Sequence, residues 1–536
     1  MKKVYLLSSF LALSLYGFSQ MTIQSGATLF IESGAKVTLQ GDLTSSAHIQ
    51  GTGTILMKGS GLQNINMNGN TIPNLEIDNA ANVTLTGASA RVGTSLLFTN
   101  GKLLTASQDL FIAPTATITG QNTSRFIWTD GTGQVRKELT ADISNYEIPV
   151  GFNTEYRPVY LTSTGGSYSS ANFGVRVASG ASANKPPMMA NYLSTYWPVT
   201  KTGITGGTQT LAGQYSDPTD VSGDETKLAG YFFNGTDWSS VNEGHDLATN
   251  RVSMPITTGA GELTGMNKFV AVGARAFLQG AYNSATGLMN DGLRTGGNVI
   301  PVSDPYRTAP YNTSFTHVAN PTAEMVSSSV FNNQASINDD IVDWVFLELR
   351  NTALPGNTVL QTRSALVQRD GDIVDVDGIS PVTFNNVTNG SYAIAVRHRN
   401  HLGLATDPSF GRSFTETRSL AFSTNLADLR NSGTALYGGT TAYTTATHPT
   451  LGTINMLWGG NVNSNVNVRY QGPSNDRAIL LTDIGGELLA PSGYFRADLN
   501  MNKIARYQGP SNDRSFLLSN VLGNTELNVR NQILPQ

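Results

Sequence analysis

The sequence contains one nine-residue phrase twice. RYQGPSNDR spans Arg469–Arg477 and returns at Arg506–Arg514. Oxygen-bearing side chains stand at alternate positions before each copy; they are Asn461, Asn463, Asn465 and Asp498, Asn500, Asn502. Ca²⁺ is bound by several oxygens that converge from a tightly curved backbone, and an EF-hand-type loop presents its first three ligands with this spacing. The pattern therefore indicates two calcium loops, each followed by a short apolar helix.

Asp476 and Asp513 open the two predicted helices. Each would either complete a calcium site or cap the helix N-terminus, where a negative charge is favourable. The leading positions of the first copy are all asparagine, the second copy has one aspartate, and neither has the usual turn glycine. Fewer carboxylates weaken calcium binding. The alternative is that both loops are metal-free turns held by asparagine side chains and the Gly-Pro corner.

A second group of carboxylates lies in RDGDIVDVDG, at Asp370, Asp372, Asp375 and Asp377. Neighbouring residues of a strand face opposite sides, and Asp-Gly pairs are typical of hairpin turns. The segment is therefore a weak calcium candidate, and we expect a turn followed by a solvated strand.

One segment concentrates basic and imidazole side chains; it consists of Arg397, His398, Arg399, Asn400 and His401. Acid–base catalysis would need a carboxylate from a neighbouring strand, such as Asp343 or Glu348. The alternative is a strand end whose charged residues hydrogen-bond across the sheet and hold a loop. The sequence has no Gly-x-Ser-x-Gly elbow, His-Glu-x-x-His pair or phosphate loop, and we assign no catalytic residue.

Three aromatic residues are candidates for stacking on sugar rings: Trp238, Tyr282 and Tyr311. Burial between sheets would explain them equally well.

The elements that carry these residues are expected to be mostly β-strands. The chain has 536 residues, 55 of them glycine, and only 13% are charged. This composition is typical of short strands joined by turns rather than of long amphipathic helices. A chain of this length is also too long to fold around a single hydrophobic core. We therefore predict a multidomain all-β protein.

Residues 20–140 are predicted to form a small right-handed β-solenoid. Ser25-Gly26-Ala27 recurs as Ser33-Gly34-Ala35, and each copy precedes a brief apolar run. Such coils stack and bury their apolar side chains in a shared core. The expected core residues are Leu29, Ile31, Val37, Leu39, Ile55, Leu75, Ile77, Val83, Leu85, Leu110 and Ile112. An ordinary β-meander is the alternative.

The remaining chain divides into four segments. Residues 141–276 and 277–412 show longer alternating strands with interspersed aromatics, which predicts two β-sandwich domains; the run KFVAVGA, about 268–274, would close the first. Residues 413–452 are rich in Thr, Ser, Gly and Ala, and we expect an irregular extension or linker. Residues 453–536 contain the duplicated loop-helix repeats.

The first 19 residues have the features of a secretory signal peptide: two lysines, an apolar run too short to cross a bilayer, and small residues Gly17 and Ser19 before the expected cut. The chain contains no cysteine, which excludes a lipoprotein anchor, disulfides and thiolate metal sites. No second apolar run suggests a transmembrane segment after cleavage. The net charge of −4 gives no basic bias toward nucleic acid.

The region Trp458–Asn531 resembles the dockerin-like calcium repeats of secreted bacterial proteins, in a degenerate variant with a Tyr-Gln-Gly-Pro-type insertion. The wider chain is similar to exported hemagglutinin-like, or adhesin-like, multidomain surface proteins of Bacteroidota. The residues that carry this similarity are Val150–Val159, Asp343–Arg350 and Val396–Gly403. The resemblance implies adhesion and a secreted or outer-cell-surface location. The C-terminal NVRNQILPQ does not match a type IX sorting domain, which leaves the export route open.

These features favour an exported binding protein or adhesin that acts through β-rich recognition modules and is not an enzyme. We expect a cell-surface glycan or protein as its partner, no nucleic acid partner, and Ca²⁺ as its one candidate cofactor. The first alternative is a carbohydrate-active enzyme, a polysaccharide lyase or hydrolase, that uses the solenoid or residues 397–401. The second is a structural component of a surface assembly. An enzyme needs a cleft where basic residues and carboxylates converge, whereas an adhesin can use an open face.

Overall fold

The computed structural model describes residues 20–240, 244–353, 357–387, 390–414, 418–419, 426–486, 488 and 492–534. The predicted signal peptide lies outside these residues. The described chain is mostly β, with two short helices, Asp476–Asp483 and Asp513–Ser515; a π-helical turn, Phe516–Val521, continues the second. Among the described residues, no helix is long and apolar enough to span a membrane.

The N-terminal part of the chain is a β-solenoid of about six turns, which confirms the prediction of a solenoid rather than a meander. One parallel sheet contains Met21–Ile23, Leu43–Ser45, Gln63–Asn66, Val83–Leu85, Leu103–Leu104, Ile127–Trp128 and Val150–Phe152, and Glu155–Tyr156 is added antiparallel. The second contains Lys36–Leu39, Thr54–Met57, Thr71–Asp78, Ala90–Asn100, Leu110–Ile112 and Val135–Leu139. Short strands Leu29–Ile31 and Ile49–Gly51 pair with each other, and Thr117–Thr119 pairs with Ala90–Asn100. Of the predicted core residues, Leu29 and Val37 are partly buried and the others are buried.

The second solenoid sheet continues directly into an antiparallel region. Val135–Leu139 pairs antiparallel with Ser167–Val175. The sheet then runs through Thr195–Thr205, Ala260–Asn267, Leu228–Phe233, Asp237–Ser240 and Arg418–Ser419, with Ala178–Ser179, Tyr192–Leu193 and Val221–Ser222 at its side. A five-stranded sheet contains Ile143–Ile148, Val159–Thr164, Thr208–Gln214, Arg251–Pro255 and His245–Asp246. One hydrophobic core extends from Ile23 to Leu263, so the solenoid and this region are packed together.

A separate nine-stranded sheet, here called the central sheet, follows. Its strands in order are Val382–Asn385, Phe269–Arg275, Asp372–Val374, Val359–Gln368, Ile341–Arg350, Gly390–His398 and His401–Ala405, with Arg412–Phe414 and Leu426–Asp428 added at the side. The KFVAVGA run, expected at the end of the preceding domain, pairs instead with three strands of this sheet. Its burial on both faces suits a central position.

Irregular chain covers the central sheet and belongs to the same core. It contains two small hairpins, Tyr282–Asn283 with Leu288–Met289 and Thr444–His448 with Gly452–Met456. The described 3₁₀ turns of the whole chain are Glu225–Lys227, Pro305–Arg307, Tyr311–Thr313, Ser328–Phe331, Pro408–Phe410 and Gly439–Thr441. Because the irregular chain covers the central sheet, all ten residues of Ile341–Arg350 are buried, including its three charged residues.

The repeat module, residues 458–534, has its own small core around Val462, Leu480 and Leu517. The strand Asn467–Arg469, near the start of the module, pairs antiparallel with Val529–Asn531, near its end. It docks on the end of the central sheet, where Leu402 N–H donates to the carbonyl of Trp458 (2.8 Å).

Candidate functional site

The first copy of the repeated phrase closes a loop around the carboxylate of Asp476. This residue is fully buried and is the first residue of its helix. Its Oδ1 accepts from the backbone N–H groups of Val462 (2.9 Å) and Asn463 (3.4 Å), and its Oδ2 from that of Arg469 (2.8 Å). One side chain therefore ties both ends of the loop to the helix.

The second copy has the same arrangement around Asp513, which is also buried. Its Oδ1 accepts from the N–H groups of Leu499 (2.7 Å) and Asn500 (3.4 Å), and its Oδ2 from that of Arg506 (2.7 Å). Each bond has a counterpart in the first copy. Three backbone hydrogen bonds to one buried carboxyl group hold each loop closed, because a buried N–H group left without an acceptor is costly.

The helix caps are the asparagines before these aspartates. Asn475 and Asn512 are the N-cap residues, and each Oδ1 accepts a backbone N–H from the first turn (2.9 and 2.8 Å). Their amide groups donate to the carbonyls of Gly472 (2.7 Å) and Gly509 (2.5 Å). Both glycines have left-handed φ, +93° and +95°, which favours glycine at the corner of each loop.

The arginine that ends each phrase stacks on its tyrosine. The guanidinium carbon of Arg477 lies 4.8 Å from the ring centre of Tyr470, and that of Arg514 lies 4.9 Å from that of Tyr507. The duplicated phrase thus folds twice into the same unit, in which its polar residues bond mainly to the unit itself.

The leading asparagines of the first loop form consecutive turns. Asn463 Oδ1 accepts from Asn465 N–H (3.0 Å), Asn465 Oδ1 accepts from Asn467 N–H (2.7 Å), and Asn461 donates its amide to the carbonyl of Asn465 (2.9 Å). The Oδ1 of Asn461 is buried and has no hydrogen-bond partner in the described chain.

The second loop has a carboxylate in the leading position. Asp498 accepts from the N–H groups of Asn502 (3.1 Å) and Lys503 (2.6 Å), and Asn502 Oδ1 accepts from Ile504 N–H (2.9 Å). The Oδ1 of Asn500 is buried without a hydrogen-bond partner among the described residues. The structure therefore gathers the predicted oxygen side chains into two compact loops.

The electrostatics of the second loop suit a cation better than those of the first. Burial, together with the charge of Asp498, raises the pKa of Asp513 to about 7, and burial also raises the pKa of Asp498. In the first loop, burial alone raises the pKa of its single carboxylate, Asp476, to about 7. A bound cation would offset the repulsion between Asp498 and Asp513 and supply a partner for Asn500 Oδ1.

Both predicted carboxylates meet the basic segment 397–401: Asp343 lies beside His398 and Arg399, and Glu348 pairs with Arg397 (3.2 Å). Asp343 Oδ2 accepts from Arg399 Nε (2.8 Å) and lies 3.1 Å from His398 Nε2, and its Oδ1 accepts from the Tyr494 hydroxyl (2.7 Å). Burial opposes ionisation of this carboxyl, but the charge of Arg399 and the bond to His398 lower its pKa to about 2. The backbone N–H of Trp344 also donates to Oδ1 (2.8 Å), so Asp343 is a buried anion with four partners.

The same segment joins the central sheet to the repeat module. His398 Nδ1 and His401 Nδ1 are 3.0 Å apart, and Asn400 donates its amide to the carbonyl of Asp498 (2.8 Å). Arg399 donates to the carbonyl of Phe495. At most 1% of His398, Arg399, Asn400 and His401 is exposed, so this cluster is enclosed and has the geometry of a strand end that holds a loop.

The prediction of a solvated strand after Asp370 is wrong at two positions. Asp372 and Asp375 are buried because each neutralises an arginine: Asp372 pairs with Arg275, and Asp375 Oδ1 lies 2.5 Å from Arg363 Nη2. These carboxylates are committed to different arginines and do not converge.

The two outer carboxylates of that segment have separate environments. Asp377 accepts two backbone N–H groups within its own turn (3.0 and 2.8 Å). Burial and the charge of Asp372 raise the pKa of Asp370 to about 6.

Two of the three candidate sugar-stacking aromatics are buried. Trp238 is 1% exposed and donates its indole N–H to the carbonyl of Asn184 (2.8 Å), and Tyr311 is 6% exposed. Tyr282 is partly buried against Phe277, with ring centres 5.1 Å apart.

A groove of about 390 Å³ lies between the irregular chain and the repeat module, and we call it the interface groove. Its lining residues are Pro301, Ser303, Asp304, Pro305, Thr308, Ala309, Pro310, Tyr311, Asp483, Tyr494, Phe495 and Arg496. Arg496 Nε donates to Asp483 Oδ1 (2.8 Å). Through its hydroxyl, Tyr494 connects the groove to the enclosed Asp343. Sequence reasoning missed this groove because its two walls are about 180 residues apart in the chain.

Beside the groove, Asp304, His317 and Glu324 place ligand-type atoms within 4.8 Å of one another. Two arginines already neutralise the carboxylates: Arg307 Nε lies 3.1 Å from Asp304 Oδ2, and Arg363 Nε lies 3.1 Å from Glu324 Oε1. A metal ion would meet these guanidinium groups, so the cluster does not suit a cation.

No family model matches this chain, and no significant similarity to a curated protein or to a solved structure was found.

Proposed function

We propose that the chain is an exported, adhesin-like surface protein that binds a cell-surface glycan, with the interface groove as its binding site. The observation that carries the proposal is the lining of the groove, in which Phe495, three prolines and the edges of two mostly buried tyrosines surround the charged pair Arg496–Asp483, with Asp304 as a further carboxylate. Apolar walls with a few fixed polar groups are typical of ligand sites. The signal-peptide features and the resemblance to hemagglutinin-like proteins also support it.

Binding fits the groove better than catalysis does. Burial and the charge of Asp343 raise the pKa of Tyr494 well above its ordinary value, which opposes use of its phenolate as a base. Asp343 itself is enclosed and ionised. A lyase or hydrolase would require a titratable group that reaches the substrate with a pKa near the working pH.

The test is a glycan-array screen of the mature full-length chain, followed by calorimetry on the best ligand. Phe495→Ala keeps the backbone carbonyl that Arg399 uses but removes one aromatic ring from the groove wall. Phe30→Ala, at a 57% exposed residue of the solenoid, is the matched control. We expect Phe495→Ala to weaken binding about tenfold and Phe30→Ala to leave it unchanged, since one stacked ring contributes about 1–3 kcal/mol by analogy with base stacking. Equal affinity of both variants would rule out the groove.

A second proposal is that the second repeat loop binds Ca²⁺ through Asp498, Asn500, Asn502 and Asp513. The carrying observation is the pair of buried carboxylates beside the buried, unpartnered Oδ1 of Asn500. Calorimetric titration with CaCl₂ at pH 8 should show binding that Asp498→Asn abolishes. Asp246→Asn, in a surface turn, should have no effect. Absence of heat and of any calcium-dependent change in melting temperature would leave the loops as structural turns.

We further propose that the antiparallel regions act as two β-sandwich modules and the repeats as a degenerate dockerin-like module. In the second alternative, a structural part of a surface assembly, the exposed faces of the repeats would contact a partner protein. Co-purification of a stoichiometric partner from the cell envelope, insensitive to Phe495→Ala, would favour that role over glycan binding.

A further inference from the structure

A second groove, the arginine groove, lies between the central sheet and the last described residues of the chain. Its volume is about 360 Å³. The sheet contributes Glu348, Arg350 and Arg397, and the repeat module contributes Val466, Asn531, Gln532 and Leu534. It shares no lining residue with the interface groove, so an inference about it stands independently of the proposed function.

One carboxylate serves two guanidinium groups in this groove. Glu348 Oε2 accepts from Arg350 Nε (2.8 Å) and Nη2 (2.6 Å), whereas Oε1 makes one longer contact with Arg397 Nη1 (3.2 Å). Arg350 and Glu348 are both more than nine-tenths buried. The lining residues therefore carry one positive charge in excess, and that excess lies at Arg397.

Apart from Glu348, the groups that hold Arg397 in place do not neutralise it. Its guanidinium carbon lies 4.5 Å from the ring centre of Phe315, and Nη2 donates to the carbonyl of Ser314 (2.8 Å). Its Nε is buried and donates to no acceptor among the described residues. A fixed guanidinium with incomplete pairing is preorganised for an anionic partner.

The rest of the groove suits a sugar. Asn531 and Gln532 offer amide groups that can donate to or accept from hydroxyls, and Val466 and Leu534 offer aliphatic surface for the C–H face of a ring. Val466 is 61% exposed, so its methyl groups are accessible to a ligand in the groove. We infer that the arginine groove binds the carboxylate of a hexuronate residue in an acidic polysaccharide, with Arg397 as the residue that contacts the carboxylate.

The experiment uses the mature full-length chain and a galacturonate trisaccharide, with the neutral galactose trisaccharide and sulfate as comparison ligands. Calorimetry should show binding of the acidic sugar, at least tenfold weaker binding of the neutral one, and no binding of sulfate at the same concentration. Arg397→Gln should weaken galacturonate binding at least tenfold, and Arg397→Lys should weaken it less. Arg91→Gln is the matched control because Arg91 is paired one-to-one with Glu138 (2.8 Å).

Methyl NMR of the unmodified chain keeps the inference testable if the Arg397 variants do not fold. Galacturonate should shift the methyl signals of Val466 and Leu534 and leave those of Ile77 in the solenoid unchanged. Any one of four results would overturn the inference. These are equal binding of the acidic and neutral sugars, equal binding by wild type and Arg397→Gln, binding of sulfate as tight as that of galacturonate, and no shift at Val466 and Leu534. If Phe495→Ala lost galacturonate binding and Arg397→Gln kept it, the sugar would bind in the interface groove and the inference about the arginine groove would fail.

Discussion

The joint between the central sheet and the repeat module depends on a buried ion pair, and breaking one side of it gives the sharpest test of this structure. Asp343 and Arg399 are both fully buried, with Arg399 Nε 2.8 Å from Asp343 Oδ2. Asp343→Asn preserves shape, and its carbonyl oxygen can still accept from Tyr494. The new NH₂ group, however, would face Arg399 and His398, and the positive charge of Arg399 would remain buried without its counter-ion.

The expected cost of Asp343→Asn is about 3–5 kcal/mol, the range for removing one partner of a buried pair. Arg399→Gln should cost a similar amount because Asp343 would then be the uncompensated charge. The double variant leaves no buried charge at this point and should cost at least about 2 kcal/mol less than the sum of the two single variants. This non-additivity, rather than either single loss, identifies the ion pair as the cause.

The measurement is hydrogen exchange of the full-length chain, read on residues 458–464 and 492–500, because a chain with several cores will not unfold in one step. The control is Asp78→Asn, which breaks the exposed Lys58–Asp78 pair (2.7 Å) and should change local stability by less than about 1 kcal/mol. Additive effects of the two central variants, or protection of the repeat module unchanged in Asp343→Asn, would refute the argument that this pair holds the module on the sheet.

Three further predictions follow from other buried groups. Ile77→Ala, at a fully buried position of the solenoid, should destabilise it by about 2–5 kcal/mol, seen as a lower unfolding temperature of the solenoid in calorimetry; an unchanged temperature would contradict the stacked core. Asp476→Asn should speed amide exchange at residues 462–463 and 469 and leave residues 499–506 unchanged, because each loop has its own closing carboxylate. Burial lowers the pKa of His398 and His401 below 6.5, so the unfolded chain takes up their protons first as the pH falls. Their contribution to stability is therefore present above pH 6.5 and is lost below it, by at most about 1.4 kcal/mol per pH unit for each histidine. His401→Gln should make the unfolding midpoint less sensitive to pH between 6.5 and 5. An unchanged slope would show that folding does not lower the pKa of His401.

The solenoid was predictable because its signal is local. Glycine turns and brief apolar runs recur at short intervals, and each coil pairs with the next, so all but two of the expected inward positions are buried in the core. The strand Phe269–Arg275 was assigned to the wrong region for the opposite reason: its pairing partners lie about 100 to 150 residues further along the chain. An apolar run shows that a strand is buried but not which sheet buries it.

The candidate sites show the same division between local and distant contacts. The role of Asp476 and Asp513 at the start of a helix could be read from the spacing within one repeat, since all their partners lie within 14 residues. The interface groove and the arginine groove could not be read, because each combines the central sheet or its covering chain with the repeat module. Likewise, a tryptophan such as Trp238 carries no mark in the sequence that separates an exposed stacking surface from a buried one.

Both copies of RYQGPSNDR close their loop with an aspartate, but the leading residue before each copy differs. This difference distinguishes loop closure from cation binding. Asp476 and Asp513 accept equivalent backbone N–H groups, one from the first residue of the phrase and two from the loop before it. Closure therefore depends on the aspartate inside the phrase and on backbone groups that any residue supplies. The leading position differs: it is Asn461 in the first copy and Asp498 in the second, and only the second copy places two carboxylates together. Asp498→Asn should therefore remove any calcium response while leaving exchange at residue 506 slow, whereas Asp513→Asn should open the loop with or without calcium. If Asp498→Asn also opened the loop in the absence of calcium, the leading carboxylate would be part of the closure itself, and the asparagines of the first copy would then have to close that loop by a different set of bonds.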